Sequence, residues 1–183
     1  MDDDKIAYIQ IAEFDEVTSG QFENYLSEAY QEGMKGLVID LRDNPGGSLS
    51  TVVEIADQIL PKGLVVYTED RDGNRKEYSC DGSPEIQVPL VVLVNGNSAS
   101  ASEILAGAVK DYGVGTILGT TTFGKGIVQK IFSLSDGSAL KLTISHYYTP
   151  KGNDIHGVGI EPDEVLELDK EAYINEGVDN QLN

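Results

Sequence analysis

Two short runs of unbroken apolar residues, Leu37-Val38-Ile39 and the stretch 90–94, constrain this chain more than any other feature. A strand apolar at every position suits a sheet covered on both faces, and such sheets are assembled from strand–helix–strand units. Each run ends in a polar, small-residue turn and then a helical pattern. Residues 49–60 place Leu49, Val52, Val53, Ala56 and Leu60 on one stripe before Pro61 stops the helix. Residues 100–112 do the same with Ala101, Ile104, Leu105, Ala108 and Tyr112.

Upstream, residues 6–14 alternate loosely enough for a strand. The helix that follows starts on an expected capping box, Thr18 with Gln21, and a hydrophobic staple, Val17 with Phe22. Phe22, Tyr25, Leu26, Ala29 and Tyr30 give it one apolar face, and Gly33 ends it. Asp72-Gly73 and Asp136-Gly137 each sit between strand-like segments and predict two hairpins. In the second, Leu140, Leu142, Ile144, His146 and Tyr148 are expected on one face, with His146 a core histidine and His156 on the surface. Residues 79–87 read as loop, 116–119 as a short strand, and the acidic tail from Glu161 as one more short element. The sum is a mixed α/β chain with one domain over 6–183. Met1-Asp2-Asp3-Asp4-Lys5 looks like the remnant of a cleavable tag.

The net charge of −18 disfavours nucleic acid and anionic membranes, which recruit clustered Lys and Arg. No apolar stretch approaches the ~20 residues that cross a bilayer, and no signal peptide is present. The single cysteine, Cys80, forms no internal disulfide. No zinc spacing, Walker loop or dinucleotide fingerprint occurs.

Residues 95–129 carry the chemistry. A serine-rich turn opens the helix at residue 100, where backbone N–H groups point outward. Lys125 stands between Gly124 and Gly126. These are the parts of a serine nucleophile with a lysine base. Periodicity alone does not choose among Ser98, Ser100 and Ser102, and Ser100 with Glu103 also spells a capping box. A lysine acting as base must be neutral, which burial provides. Apolar neighbours such as Phe123 or Ile127, and no carboxylate beside the amine, are therefore expected. Lys125, Ile127 and Gln129 would share one side of an extended segment, letting the Gln129 amide orient the amine. Gly46-Gly47 is either a plain turn or part of an oxyanion hole with the Ala101 N–H. A Ser–His–Asp site using His146 or His156 is the weaker possibility.

Four fragments, D-L-R-D-N-P-G-G, V-N-G-N-S-A-S-A-S-E-I, T-F-G-K-G-I-V-Q and Y-Y-T-P-K-G…G-V-G-I-E-P-D, together resemble the carboxyl-terminal processing peptidases of the tail-specific protease group. The resemblance spans residues 40–163 and implies a crotonase-like β/α spiral with added β-hairpins. It assigns the nucleophile to Ser100, the general base to Lys125, the supporting amide to Gln129 and the oxyanion N–H groups to Gly46 and Ala101. It further implies protein or peptide substrate tails docked in extended form on a strand edge, no cofactor, no metal, and a location outside the cytoplasmic membrane or in a lumen. Asp43 departs from the pattern, which often has Asn there. The substrate-binding PDZ domain usual in the family has no room in this chain, so a latent core is one alternative and a ligand-binding module of the same fold another.

Overall fold

A computed structural model describes residues 4–82 and 86–182. The tag-like Met1, Asp2 and Asp3, and part of the expected loop (Ser83, Pro84 and Glu85), lie outside the described residues. Five parallel strands form the first sheet, in the order β1 (Ile6–Gln10), β2 (Gly36–Asp40), β5 (Leu90–Val94), β6 (Thr116–Gly119) and β9 (Glu164–Val165). Helices α1 (Thr18–Gln31), α2 (Leu49–Asp57) and α3 (Ala101–Tyr112) connect them and pack side by side. The second sheet is antiparallel, in the order β4 (Arg75–Cys80), β3 (Gly63–Asp70), β8 (Ala139–Tyr148), β7 (Ile127–Ser133). A short α4 (Lys170–Glu176) follows β9. This is the mixed α/β architecture with two hairpins that the sequence predicts.

The core lies between the parallel sheet and the three helices. Alternate strand residues Ala7, Leu37, Ile39, Leu90, Val92, Val94 and Ile117 are buried there, with Phe22, Leu26, Val52, Ile55, Ile104 and Leu105 from the helices. Each large aliphatic side chain buried in this way stabilises the fold by about 1.5–3 kcal/mol. The opposite face is less covered: Val38 and Val91 are only half-buried and Tyr8 is exposed. The unbroken apolar runs thus overstate how completely both faces are hidden.

Helix α1 departs from its expected start. Asp15, not Thr18, caps it, accepting the N–H groups of Val17 and Thr18 at 3.0 Å each. Val17 stays exposed, so no staple forms, and Tyr25 and Tyr30 face solvent while Phe22 and Leu26 carry the buried stripe. Helix α2 is capped by Ser48, whose Oγ accepts the Thr51 N–H at 3.3 Å. It ends three residues early, and residues 58–60 form a turn.

The second hairpin also differs from its alternation pattern. Pairing shifts between Val128–Ser145 and Gln129–Thr143, leaving Ile144 as an extra residue in β8. A bulge of this kind reverses which residues face in beyond it. Tyr147 is therefore buried and His146 only half-buried, against the expectation of a core histidine. His146 Nδ1 lies 3.6 Å from Asp154 Oδ2, and its ring meets that of His156 edge-on.

Candidate functional site

Three segments converge at the N-terminus of α3: the turn before the helix, the Asp40–Gly47 loop after β2, and the glycine–lysine–glycine loop before β7. Buried polar groups fix the turn. Ser98 Oγ donates to the Leu41 carbonyl at 2.7 Å, and Ser102 Oγ to the Asn44 carbonyl at 3.1 Å. Both serines are fully buried and spent on holding the loop after β2. Ser100, between them, is partly exposed and has a φ of +56°, an unusual conformation for a residue with a side chain. Ser100 and Glu103 form the expected capping box: the hydroxyl faces the Glu103 N–H, which bonds the Ser100 carbonyl at 3.0 Å, and the Glu103 carboxylate accepts the Ser100 N–H at 2.8 Å. Of the three serines, Ser100 alone is partly exposed.

The Gly46-Gly47 pair is wedged between two backbones. A Cβ on Gly47 would lie 2.2 Å from the Phe14 carbonyl oxygen. One on Gly46 would lie 2.6 Å from the Ala99 carbonyl and 2.8 Å from Ser100 Cβ. Gly46 also has a φ of +104°, so glycine is required twice over. Its N–H, expected to be free for an oxyanion, donates to Asn44 Oδ1 at 2.8 Å. The Ala101 N–H, at the first position of α3, finds no acceptor among the described residues. Asp43 turns away from this pocket: its Oδ1 accepts from Asn97 Nδ2 at 2.8 Å and Asn95 Nδ2 at 3.1 Å. Those two bonds, the Asn97 one foremost, hold its carboxyl below the ordinary aspartate range.

Glu103 ties the lysine loop to the serine turn. It is completely buried and accepts four hydrogen bonds: Thr122 Oγ1 and the Gly124 N–H on Oε1 at 2.6 Å, the Ser100 and Lys125 N–H groups on Oε2 at 2.8 Å. The sequence presents it only as the far member of a capping box. Its spacing from Ser100 was the available signal, but the partners beyond the helix come from 19 to 22 residues downstream. The lysine loop is clamped from its other side too, with the Gly157 N–H donating to the Gly124 carbonyl and the Tyr147 N–H to that of Gly126.

Lys125 does not meet the burial expected of it. Its side chain is exposed, Phe123 is 65% exposed, and the amine makes no hydrogen bond or ion pair with the described residues, Ser100 Oγ and Gln129 included. The carboxylate beside it touches its backbone rather than its amine. The cause is local: all inward-facing capacity of this loop is taken by Thr122, Gly124 and Gly126, which are buried and alternate with exposed Phe123 and Lys125. Gln129 is likewise exposed, at the start of the regular β7–β8 pairing after the bulge. Neither histidine approaches Ser100 through any hydrogen bond, and no group of three or more His, Cys, Asp or Glu able to hold a metal occurs among the described residues.

Below the loop, a polar network anchors the end of β2. Tyr8 Oη donates to Asp40 Oδ2 at 2.6 Å, and Arg42 grips both Asp40 oxygens while reaching Asp179 at 2.8 Å and Gln181 at 2.7 Å. Burial and the adjoining Asp40 carboxylate push the Tyr8 phenol up to about 12.

The sequence profile of peptidase family S41 matches residues 5–166. A carboxyl-terminal-processing protease of Synechocystis is 43% identical over 162 residues, covering 88% of this chain and 38% of that protein. The chloroplastic C-terminal processing peptidase of Tetradesmus obliquus is 42% identical, covering 92% of this chain and 36% of its own length. Among solved structures, a photosystem II D1 C-terminal processing protease superposes with a TM-score of 0.85 at 42% identity, over 88% of this chain and 42% of that one. The chain thus spans about two-fifths of the length of these relatives.

Proposed function

Since this chain belongs to peptidase family S41, we propose that it is the serine endopeptidase core of a C-terminal processing protease, with Ser100 as nucleophile and Lys125 as general base. The observation that carries this reading is the division of labour among the three serines. Ser98 and Ser102 are buried and bonded to the loop after β2, while Ser100, although its hydroxyl faces the Glu103 N–H in a capping box, is partly exposed on a strained turn beside an unpaired helix N–H. Relatives named as proteases favour an enzyme over a ligand-binding module of the same fold. The parallel sheet with its crossing helices accommodates the crotonase-like spiral implied by the motifs.

In the proposed reaction, neutral Lys125 takes the Ser100 proton as Oγ attacks a peptide carbonyl carbon. The oxyanion is held first by the Ala101 N–H. Gly46, whose N–H already serves Asn44, contributes chiefly the bare backbone that lets the carbonyl approach. The leaving amine departs with the proton, and water then hydrolyses the acyl-enzyme. Gln129 steadies the lysine amine. The polypeptide laid across Phe123 and Lys125 covers both exposed side chains as the serine reacts. Substrates are unstructured protein tails, in a compartment outside the cytoplasmic membrane or in a lumen. No helix among the described residues is long and apolar enough to cross a membrane.

The test is cleavage of an unstructured apolar-tailed peptide by Ser100→Ala and Lys125→Ala variants. Each is expected to lose at least about 10³-fold in rate. Unchanged cleavage in either would end the assignment.

A further inference from the structure

The acidic tail is held down by polar groups and not by its apolar ones. Of the described residues 161–182, Gln181 alone is buried, while Tyr173, Ile174, Val178 and Leu182 stand between 41% and 78% exposed. An amide is buried without penalty only when its donor and acceptor are matched. Gln181 Oε1 accepts from Arg42 Nη1 at 2.7 Å, and Nε2 donates to the Leu166 carbonyl. Asp179 orients it: one carboxylate oxygen accepts the Gln181 N–H at 3.0 Å, and the other meets Arg42 Nη1 at 2.8 Å. The Asn180 side chain, between them, stays within the tail, accepting the Asp169 N–H at 2.8 Å and donating to the Glu167 carbonyl at 3.0 Å.

The two partners of Gln181 lead to the two arms of the site. Leu166 donates its N–H at 3.0 Å to the carbonyl of Gly119, the last residue of β6, and the chain runs from there into the lysine loop. Arg42 grips Asp40 at the end of β2, and its own neighbours hold the serine turn. The Leu41 carbonyl accepts from Ser98, and the Asn44 carbonyl accepts from Ser102 and from the Ala99 N–H at 3.0 Å. Gln181 thus joins β2 to the segment after β9 across β5 and β6, which lie between them. The amide accepts from a guanidinium and donates to a carbonyl at once, which an ionised carboxylate could not do.

Resting on the peptidase reading above, we propose that Gln181 is a positioning residue for that reaction. It clasps the loop after β2 to the backbone at the end of β6, and so sets the spacing of the serine turn and the lysine loop. It acts through Arg42 on one side and Leu166 on the other, not on the reacting atoms.

The test compares Gln181→Met, which keeps the length and loses both bonds, with Asn180→Ala, which loosens the tail alone. Amide hydrogen exchange is followed over residues 95–103 and 120–126. Gln181→Met should speed exchange there about tenfold, as expected for the loss of one charge-assisted and one neutral hydrogen bond. Asn180→Ala should change it by less than about threefold. In peptide cleavage Gln181→Met should lower kcat about tenfold and leave KM within about twofold. Gln181→Glu adds a pH signature. Ionised, it turns a second acceptor toward the Leu166 carbonyl; protonated, below the ordinary glutamate value of about 4.3, it regains a donor. Its exchange, as a ratio to wild type at each pH, should match Gln181→Met near pH 7 and fall toward one near pH 4. Wild-type exchange in Gln181→Met, an equal rise in Asn180→Ala, or a Gln181→Glu ratio indifferent to pH overturns the clasp. These outcomes are separable from the catalytic assignment. Loss of cleavage in Ser100→Ala, with wild-type cleavage and exchange in Gln181→Met, leaves the peptidase standing and removes the clasp. Cleavage that survives Ser100→Ala removes the peptidase reading whatever the exchange shows.

Discussion

The backbone N–H groups of Ser100 and Lys125 meet on a single atom, Oε2 of Glu103, each at 2.8 Å. The two proposed reactive residues, 25 positions apart in sequence, are therefore held in register through their main chains. Glu103→Gln keeps the volume but leaves only one oxygen for four donors. Each buried N–H left unpaired costs about 1–3 kcal/mol. The expected result is a stability loss of about 2–5 kcal/mol by urea unfolding and a fall in peptide cleavage of at least about 10²-fold, because small misplacement of reacting groups has that effect. Cleavage at the wild-type rate would show that Glu103 serves the fold alone.

Gly46 sets how closely the loop after β2 approaches the serine. With φ at +104° and a would-be Cβ 2.8 Å from Ser100 Cβ, Gly46→Ala must push the Asp40–Gly47 loop and the serine turn apart. Overpacking of this sort costs about 1–3 kcal/mol. The turnover rate should drop more than about tenfold with little change in KM, since the displaced atoms border the reacting carbonyl and not the distant parts of the substrate. Labelling of Ser100 by a fluorophosphonate probe should slow in parallel, and normal labelling would refute the assigned geometry.

Asp43 gives the loop an acid-sensitive fastening. Its hydrogen bonds from Asn97 and Asn95 lower its pKa from the ordinary 3.8, so the folded state favours the carboxylate. Stability from this source is fully present above about 3.8 and is lost as pH falls through the lower folded value. Asp43→Asn, which tolerates the φ of +60° at this position, removes the titration. Wild type should be the more stable protein at neutral pH by urea unfolding, and the gap should narrow only below pH 3.8. A gap independent of pH would place the contribution elsewhere.

Most of the architecture was legible because it follows from periods. The buried stripes of α2 and α3, the strand at 116–119 and both hairpins are set by side-chain spacing and by turns that need glycine or aspartate. What escaped depends on contacts between distant segments. The inversion at Ile144 is a one-residue mismatch between β7 and β8, invisible in either strand alone, and it decides that Tyr147 rather than His146 is buried. Asp15 outcompeted Thr18 as cap because the preceding chain turns it onto the Val17 and Thr18 amides. At the site, the main chains of Ser100 and Lys125 meet on Glu103, but motif cannot reveal that Asn44 occupies the Gly46 N–H or that Lys125 and Gln129 are exposed and apart from the Ser100 hydroxyl. Those depend on which neighbours are already satisfied.

The anchor under the loop after β2 predicts an alkaline signature. Tyr8 Oη is bonded to Asp40 at 2.6 Å, and partial burial together with that carboxylate raises its pKa from 10.0 to about 12. The protonated phenol is the form the fold retains. Its contribution is thus complete below pH 10, where the unfolded chain is protonated as well, and is lost as pH climbs from 10 through 12. Because the ring is nearly half exposed, solvent screening keeps that contribution small, so titration is a better readout than melting. Ultraviolet titration of the nine tyrosines should contain one phenol ionising near pH 12 that disappears in Tyr8→Phe and moves to lower pH in Asp40→Asn. The same Asp40→Asn change frees one side of Arg42, which also holds Asp179 and Gln181. Cleavage should therefore fall in Asp40→Asn and persist in Tyr8→Phe. If Tyr8→Phe instead abolished cleavage, the phenol would belong to the reaction and not to its scaffold.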